Sequence, residues 1–215
     1  MRAIVAAADG RYRDPWHPFD ETTPALAAVL RGAGFDVEVL PVDDALQALG
    51  GSALLAVNAG DSWRHDPPPI GAPDAAVSGL DAALARGIGV LAMHTSLSSL
   101  RDYPAWPGAV GGMWVPTISM HPPSGDTVID WAPHPLAGDE PLALHDERYS
   151  FMQAFGPRDV VASHTLDGIV HPVVWTRRHG SSRVAVDLLG HDARSYESAP
   201  HRALIARLAR WASAS

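Results

Sequence analysis

The chain has 215 residues, 47% apolar and 19% charged, with a net charge of −8; that balance excludes a disordered or fibrous chain, and the length suits one generous core better than two. Its 16 basic residues are all arginine and are scattered, which argues against a nucleic-acid or anionic-membrane face. With neither cysteine nor lysine, it has no disulfide, thiol nucleophile, Schiff base or covalent pyridoxal cofactor.

In chain order, RAIVAAA (2–8) reads as a buried strand rather than a signal peptide, because its apolar run is short and soon meets Asp9. TPALAAVLRGAG (23–34) reads as a helix, with Thr23 capping its start, Pro24 in its first turn and Gly34 after its end. FDVEVL (35–40) is expected as a second strand, DDALQAL (43–49) as a short helix and SALLAVN (52–58) as a third strand. The proline cluster HDPPPIGAP (65–73) reads as a surface excursion. DAAVSGLDAALARG (74–87) is expected as a helix closed by glycine, and IGVLAM (88–93) as the fourth strand. This alternation predicts right-handed crossovers and an α/β fold: a doubly wound, mainly parallel sheet with helices on both faces.

DYPAWPGAVGGMW (102–114) has the prolines and glycines of a broken helix and loop, and TISMHPPSGDTVID (117–130) contains an extended piece. PLALHDERYSFM (141–152) follows the turn-like HPLAGDE. Three strands come next, DVVASH (159–164), PVVWTRR (172–178) and RVAVDLL (183–189), with HGSS as a hairpin turn between the last two. APHRALIARLARWA (199–212) closes as an amphipathic helix. No repeat or low-complexity linker interrupts the chain, so residues 1–215 are expected to form a single domain. No run approaches the roughly 20 apolar residues of a membrane span, and a cytoplasmic location is expected.

Ligands of a doubly wound sheet bind beyond the carboxyl ends of its strands. Those positions hold Asp9 and Gly10, then Asn58, Gly60 and Asp61, then His94, Thr95 and Ser96, and last Gly190, His191 and Asp192. Together with a surplus of eleven histidines, they make this rim a candidate for metal ligation or proton transfer. Each residue alone is a weak signal, since a histidine is commonly a hydrogen-bonded loop residue. His17, His121, His134 and His171 directly precede proline, which by itself biases them to extended backbone; nothing else supports His134 or His171. Asp146 and Glu147 read equally well as a solvated acidic turn. No GxSxG elbow surrounds His94, and P-loop and GxGxxG fingerprints are missing, so neither a serine triad nor a nucleotide cofactor is expected.

Several elements gain weight from their order. Ala92-Met93-His94-Thr95-Ser96 ends the fourth strand, followed by Tyr103, Gly111-Gly112, Met120-His121-Pro122, His134-Pro135 with Gly138, and Asp146-Glu147-Arg148-Tyr149. The chain closes on Pro172-Val173-Val174-Trp175, Gly180, Arg183-Val184, Gly190-His191-Asp192 and Trp211. In this order they resemble the ThuA-like (trehalose utilisation) family, a branch of the class I glutamine amidotransferase-like, flavodoxin-like fold, over nearly the whole chain. Three positions depart from the family pattern. Arg13-Asp14 stands where a histidine-aspartate pair is usual, with His17 close enough to take the histidine's place; Met120 replaces a glycine, and Thr95-Ser96 replace smaller residues.

An amidotransferase of this fold carries cysteine at the position of His94, so thiol-dependent ammonia transfer from glutamine is excluded here. The resemblance implies a protein of trehalose or keto-sugar metabolism, as a hydrolase or isomerase of a sugar derivative. His94, Glu147 and His191 are the expected catalytic residues, and His94, His121 and His191 the expected ligands of a divalent metal such as zinc. Asp14, Asn58 and Tyr149 are expected to hydrogen-bond sugar hydroxyls, Trp114 to stack on the ring, and Asp192 to orient His191 at the substrate site. In a metal-free version His94 and Glu147 act as base and acid. The other reading is a non-catalytic small-molecule-binding or scaffolding domain of the same fold. A sugar-like ligand is the expected partner, and a homodimer is expected because the 102–114 region is more apolar than a loop needs; no nucleic acid or membrane partner is expected.

Overall fold

The computed structural model describes residues 1–61 and 71–214, so most of the proline cluster at 65–73 lies outside the described residues. The first half runs β1 (Arg2–Ala7), α1 (Phe19–Gly32), β2 (Asp36–Pro41), α2 (Val42–Gln47), β3 (Leu54–Asn58), α3 (Asp74–Arg86) and β4 (Gly89–Met93). After it come α4 (Ala105–Val110), β5 (Gly112–Met113), β6 (Gly125–Trp131), β7 (Leu142–Asp146) and β8 (Gln153–Ala154). The chain ends with β9 (Asp159–Leu166), β10 (Ile169–His179), β11 (Ser182–Asp187) and α5 (Ala199–Ser213).

Among the described residues, nine strands form one sheet in the order β2-β1-β3-β4-β11-β10-β9-β6-β7. The five from β2 to β11 are mutually parallel, and β10, β9, β6 and β7 extend them by antiparallel pairing. Crossovers leave the β1/β3 switch in opposite directions, so right-handed connections put helices on both faces. Accordingly α1 packs with α5, and α2 with α3. Every residue of β3 and β4 is buried, which is why both read as unbroken apolar runs. Full burial of Leu54, Leu55 or Leu91 stabilises the sheet by about 2 kcal/mol each. Gly89 opens β4 where a Cβ would stand 2.6 Å from the Ala212 carbonyl, so only glycine lets α5 lie this close.

Helix ends follow the sequence where glycine sets them. Gly34 and Gly87 follow α1 and α3 with φ of +94° and +91°. Phe35 N–H bonds the Leu30 carbonyl and Gly34 N–H the Arg31 carbonyl, a Schellman closure. The start of α1 differs from expectation: it lies at Phe19, and Pro24 sits inside the helix. Thr22 and Thr23 do not cap; their hydroxyls accept the Asn58 side-chain N–H groups at 3.0 Å each and fasten α1 to the end of β3.

The antiparallel half was the less legible. β9 and β10 form a hairpin across Asp167-Gly168, both with positive φ, so β10 begins at Ile169 rather than Pro172. Proline cannot donate to the ladder, and the register shifts between Pro172 and Val174. The HGSS turn joins β10 to β11 as expected. The apolar residues of the 102–114 region are internal: Tyr103, Trp106, Ala109 and Val110 are buried in this chain's own core, which removes the ground for expecting a dimer through them. No described helix is long and apolar enough to cross a membrane.

Below the end of β11 lies a buried ion pair. His201 Nε2 is 3.0 Å from Asp187 Oδ2, and its Nδ1 is 2.9 Å from the Ser195 carbonyl. Both ring nitrogens face acceptors, so both carry protons. Burial opposes that charge, but the Asp187 carboxylate outweighs it and raises the His201 pKa above its ordinary value. His201→Gln is therefore expected to cost about 3 kcal/mol in urea unfolding near pH 6. Because the folded pKa is raised, this contribution is complete below the unfolded value of about 6.5 and is lost as pH rises through the folded one. The gap between wild type and variant should narrow on the alkaline side; a gap that widens would contradict the pairing.

Candidate functional site

The strand ends deliver a cluster of imidazoles around one carboxylate. His94 directly follows β4 and has φ of +41°, a left-handed corner that histidine tolerates better than most residues. That corner turns the side chain sharply off the strand. His94 Nδ1 is 2.8 Å from the Leu188 carbonyl, an acceptor only, so Nδ1 holds the proton and Nε2 the lone pair. His17 stands in the loop after β1, with Nδ1 at 2.7 and 2.9 Å from the two Asp14 oxygens. Asp14 also accepts the backbone N–H groups of Trp16 and His17, so the whole loop is set around this carboxylate. His191 follows β11, and its buried Nδ1 makes no aligned hydrogen bond, its near neighbour being Glu147.

Glu147, just after β7, faces all of these. Its Oε2 is 3.3 Å from His191 Nδ1 and 3.7 Å from His94 Nε2, and its Oε1 is 3.4 Å from His121 Nδ1. One ligand-type atom from each of His17, His94, Glu147 and His191 lies within 4.8 Å of the others. Tetrahedral zinc with bonds of about 2.0–2.1 Å needs ligands roughly 3.4 Å apart, so modest closure of the group would seat an ion. Asp146 fastens the arrangement from below. Its carboxylate accepts N–H from Glu147 at 2.8 Å, Gly190 at 2.7 Å and His191 at 3.3 Å, joining the end of β7 to the loop after β11.

Burial drives the groups toward neutrality. His94 is held well below the ordinary histidine value by burial and by its imidazole neighbours, and His191 is pushed down to about 4 by burial and His17. Glu147 is pushed up to about 7 by burial and then by the charges of Asp146, Asp192 and Asp14. Asp146 rises only to about 6, because the backbone N–H groups offset its burial. Asp14 falls below its ordinary value: burial works against this, but the His17 ring outweighs it.

Above the cluster opens a pocket of about 230 Å³, with Trp16, Asp61, Ser98 and Trp114 in its walls and His17 and Glu147 reaching into it. Of the expected residues, His94, Glu147, His191 and Tyr149 converge here, and Asp14 and Trp114 line the pocket. His121 stands at the rim, stacked on Tyr149 at 5.6 Å, and the four-residue group holds His17 in its place. Asn58 does not face the pocket; its amide holds Thr22 and Thr23. Asp192 turns to Arg194 rather than to His191. His134 and His171 serve the backbone, accepting N–H from Leu136 and Phe151. Trp16 and the anchoring role of Asp146 were not foreseen. The Asp14-x-x-His17 spacing, an Asx turn that returns a histidine to its own aspartate, is the signal that would have put His17 in the ligand set.

The raised Glu147 pKa has a measurable sign. The folded state keeps a proton that the unfolded state releases, so stability falls as pH climbs from about 4.5 to about 7 and stays reduced above that. In chelator, Glu147→Gln should be more stable than wild type by roughly 3 kcal/mol at pH 8 and lose most of that advantage by pH 5. Urea titrations at both pH values check this, and a pH-independent difference would refute it.

Solved structures share this architecture at low identity. A ThuA-like protein from Parabacteroides merdae is 17% identical, with a TM-score of 0.79 over 99% of this chain and 89% of that one. A protein described as cytoplasmic from Salmonella typhimurium is 12% identical, with a TM-score of 0.64 over 99% of both chains. A Thermoplasma acidophilum protein described as a component of GMP synthase is 14% identical, with a TM-score of 0.56 over 98% of this chain and 95% of that one. At these identities the likenesses establish the fold alone. No curated protein matches the chain. The ThuA family model, described as trehalose utilisation, matches residues 6–212, and the chain belongs to that family.

Proposed function

We propose that the protein is a metal-dependent enzyme acting on a sugar or keto-sugar derivative, with a divalent ion held by His17, His94, Glu147 and His191. The observation that carries this reading is the convergence of three imidazoles and one carboxylate, with His17 and His94 anchored through Nδ1. His94 commits Nδ1–H to the Leu188 carbonyl, which leaves Nε2 as the lone pair; His17 turns Nδ1 to Asp14, and His191 Nδ1 is buried 3.3 Å from Glu147 Oε2 without an aligned hydrogen bond. An acceptor on the far ring nitrogen fixes the tautomer of a metal-binding histidine. Three imidazoles and one carboxylate suit zinc or a similar borderline ion. Such an ion, when bound, supplies Lewis acidity that polarises a carbonyl or activates water.

The chain's own groups divide the remaining work. Trp16 and Trp114 give the pocket apolar walls for the C–H faces of a sugar ring, and Asp61 and Ser98 offer hydrogen bonds to hydroxyls. His121 stands between Glu147 and solvent with its side chain one-third exposed, so a proton reaching Glu147 Oε1 has an exit. A lost site histidine at Arg13 would favour a non-catalytic binding domain. Arg13 pairs with Asp20 at 2.7 Å, and His17 supplies the imidazole.

Calorimetric titration of chelator-treated protein with zinc or manganese tests the reading. Wild type should bind one ion per chain. Asp14→Asn should bind about 10- to 100-fold more weakly, and His94→Ala or His191→Ala more weakly still. No metal bound by wild type, together with unchanged sugar binding in the two alanine variants, would overturn the proposal.

A further inference from the structure

We infer that Tyr149 is a hydrogen-bond donor whose acceptor is set by metal loading: without the ion its hydroxyl donates to His94, and with the ion it donates to an oxygen of the pocket's ligand. The inference rests on the metal reading above. Tyr149 Oη is 3.2 Å from His94 Nε2. That nitrogen has a single lone pair, since the proton sits on Nδ1 against the Leu188 carbonyl. It is also the His94 atom that faces Glu147. One lone pair cannot serve both a tyrosine proton and an ion, so loading the site must displace the Tyr149 O–H.

The ring has no room to follow its proton. Tyr149 is buried and packed between His94 at 4.6 Å, Trp114 at 4.8 Å and His121 at 5.6 Å between ring centroids. Only the O–H direction can change, by rotation about the C–O bond. Two destinations remain. One is the pocket that Tyr149 lines; the other is the neighbouring Thr95 hydroxyl. Ser98 sends its proton to the Thr95 carbonyl at 2.8 Å, so the Thr95 hydroxyl donates to Ser98 Oγ at 2.8 Å and keeps its oxygen as a neutral acceptor. An anionic ligand oxygen above the ion is the stronger acceptor of the two. Tyr149 would thus recognise the ligand only in the loaded protein, coupling the two binding events.

Two measurements on the whole chain test this. Ultraviolet resonance Raman of metal-free protein should show a tyrosine hydrogen-bond shift that grows with added zinc and saturates with it. Tyr149→Phe should lose the shift yet bind zinc roughly threefold more tightly, because nothing then competes for His94 Nε2. With acetohydroxamate as an oxygen-donor probe, zinc-loaded Tyr149→Phe should bind about tenfold more weakly than zinc-loaded wild type. Zinc binding without a tyrosine shift, or equal probe affinity in the two proteins, overturns the inference and leaves the metal site standing. Failure of wild type to bind zinc overturns both.

Discussion

One buried carboxylate holds the two halves of this protein in register. Asp146 lies at the end of β7, at the far edge of the sheet, and reaches across to the backbone of Gly190 and His191 in the loop after β11. Three convergent N–H donors require an acceptor with several lone pairs and no proton of its own, which an ionised aspartate provides and an asparagine does not. Each charge-assisted bond of this type contributes about 1.5–3 kcal/mol when it replaces an unmet buried donor. The parallel half brings His17, His94 and His191 to the rim, and the antiparallel half brings Glu147 and Tyr149. Without Asp146 these would be neighbours only by accident of packing.

The electrostatics of the cluster follow from crowding. Ring centroids of His17, His94 and His191 stand 5.0–5.4 Å apart, so protonating one imidazole discourages the next. Removal from water lowers the His94 and His191 pKa values and raises that of Glu147, so these three are driven to their uncharged forms. The result is a nest of lone pairs with little charge on His94, His191 and Glu147. A group of this kind is poorly satisfied by protons and well suited to a cation.

Much of the fold was legible because burial on both faces leaves a simple trace. SALLAVN and IGVLAM can only be strands covered on two sides, and Gly34 and Gly87 mark helix ends that no side chain with a Cβ would favour. β6 and β7 were harder, since alternate residues face solvent and their charges mimic a loop. Pro24 misled because a helix tolerates the loss of one hydrogen bond when its neighbours are well packed. At the site, His94 and His191 could be found because they sit at strand ends, whereas Glu147 stood out only through the Asp146-Glu147-Arg148-Tyr149 element of the resemblance. Asn58 and Asp192 occupy equivalent positions, yet their side chains turn to Thr22, Thr23 and Arg194. Position along the chain does not encode that choice. Asp146 and Glu147 show the same limit: adjacent carboxylates look alike until backbone donors claim one and imidazoles surround the other.

The place of β11 in the sheet bears on how the molecule is made. It is inserted between β4 and β10, with Val90 paired to Val184, so the central parallel ladder joins segments separated by about half the chain. Closing so long a loop costs entropy before any contact returns it, and non-local strand pairing is slow for that reason. During synthesis the β2-β1-β3-β4 block can collapse early, but β4 keeps one ladder edge open until residues beyond 180 emerge. The histidine corner at the end of β4 lacks its partners until β7 and β11 have been made, so the cluster cannot close around it before then.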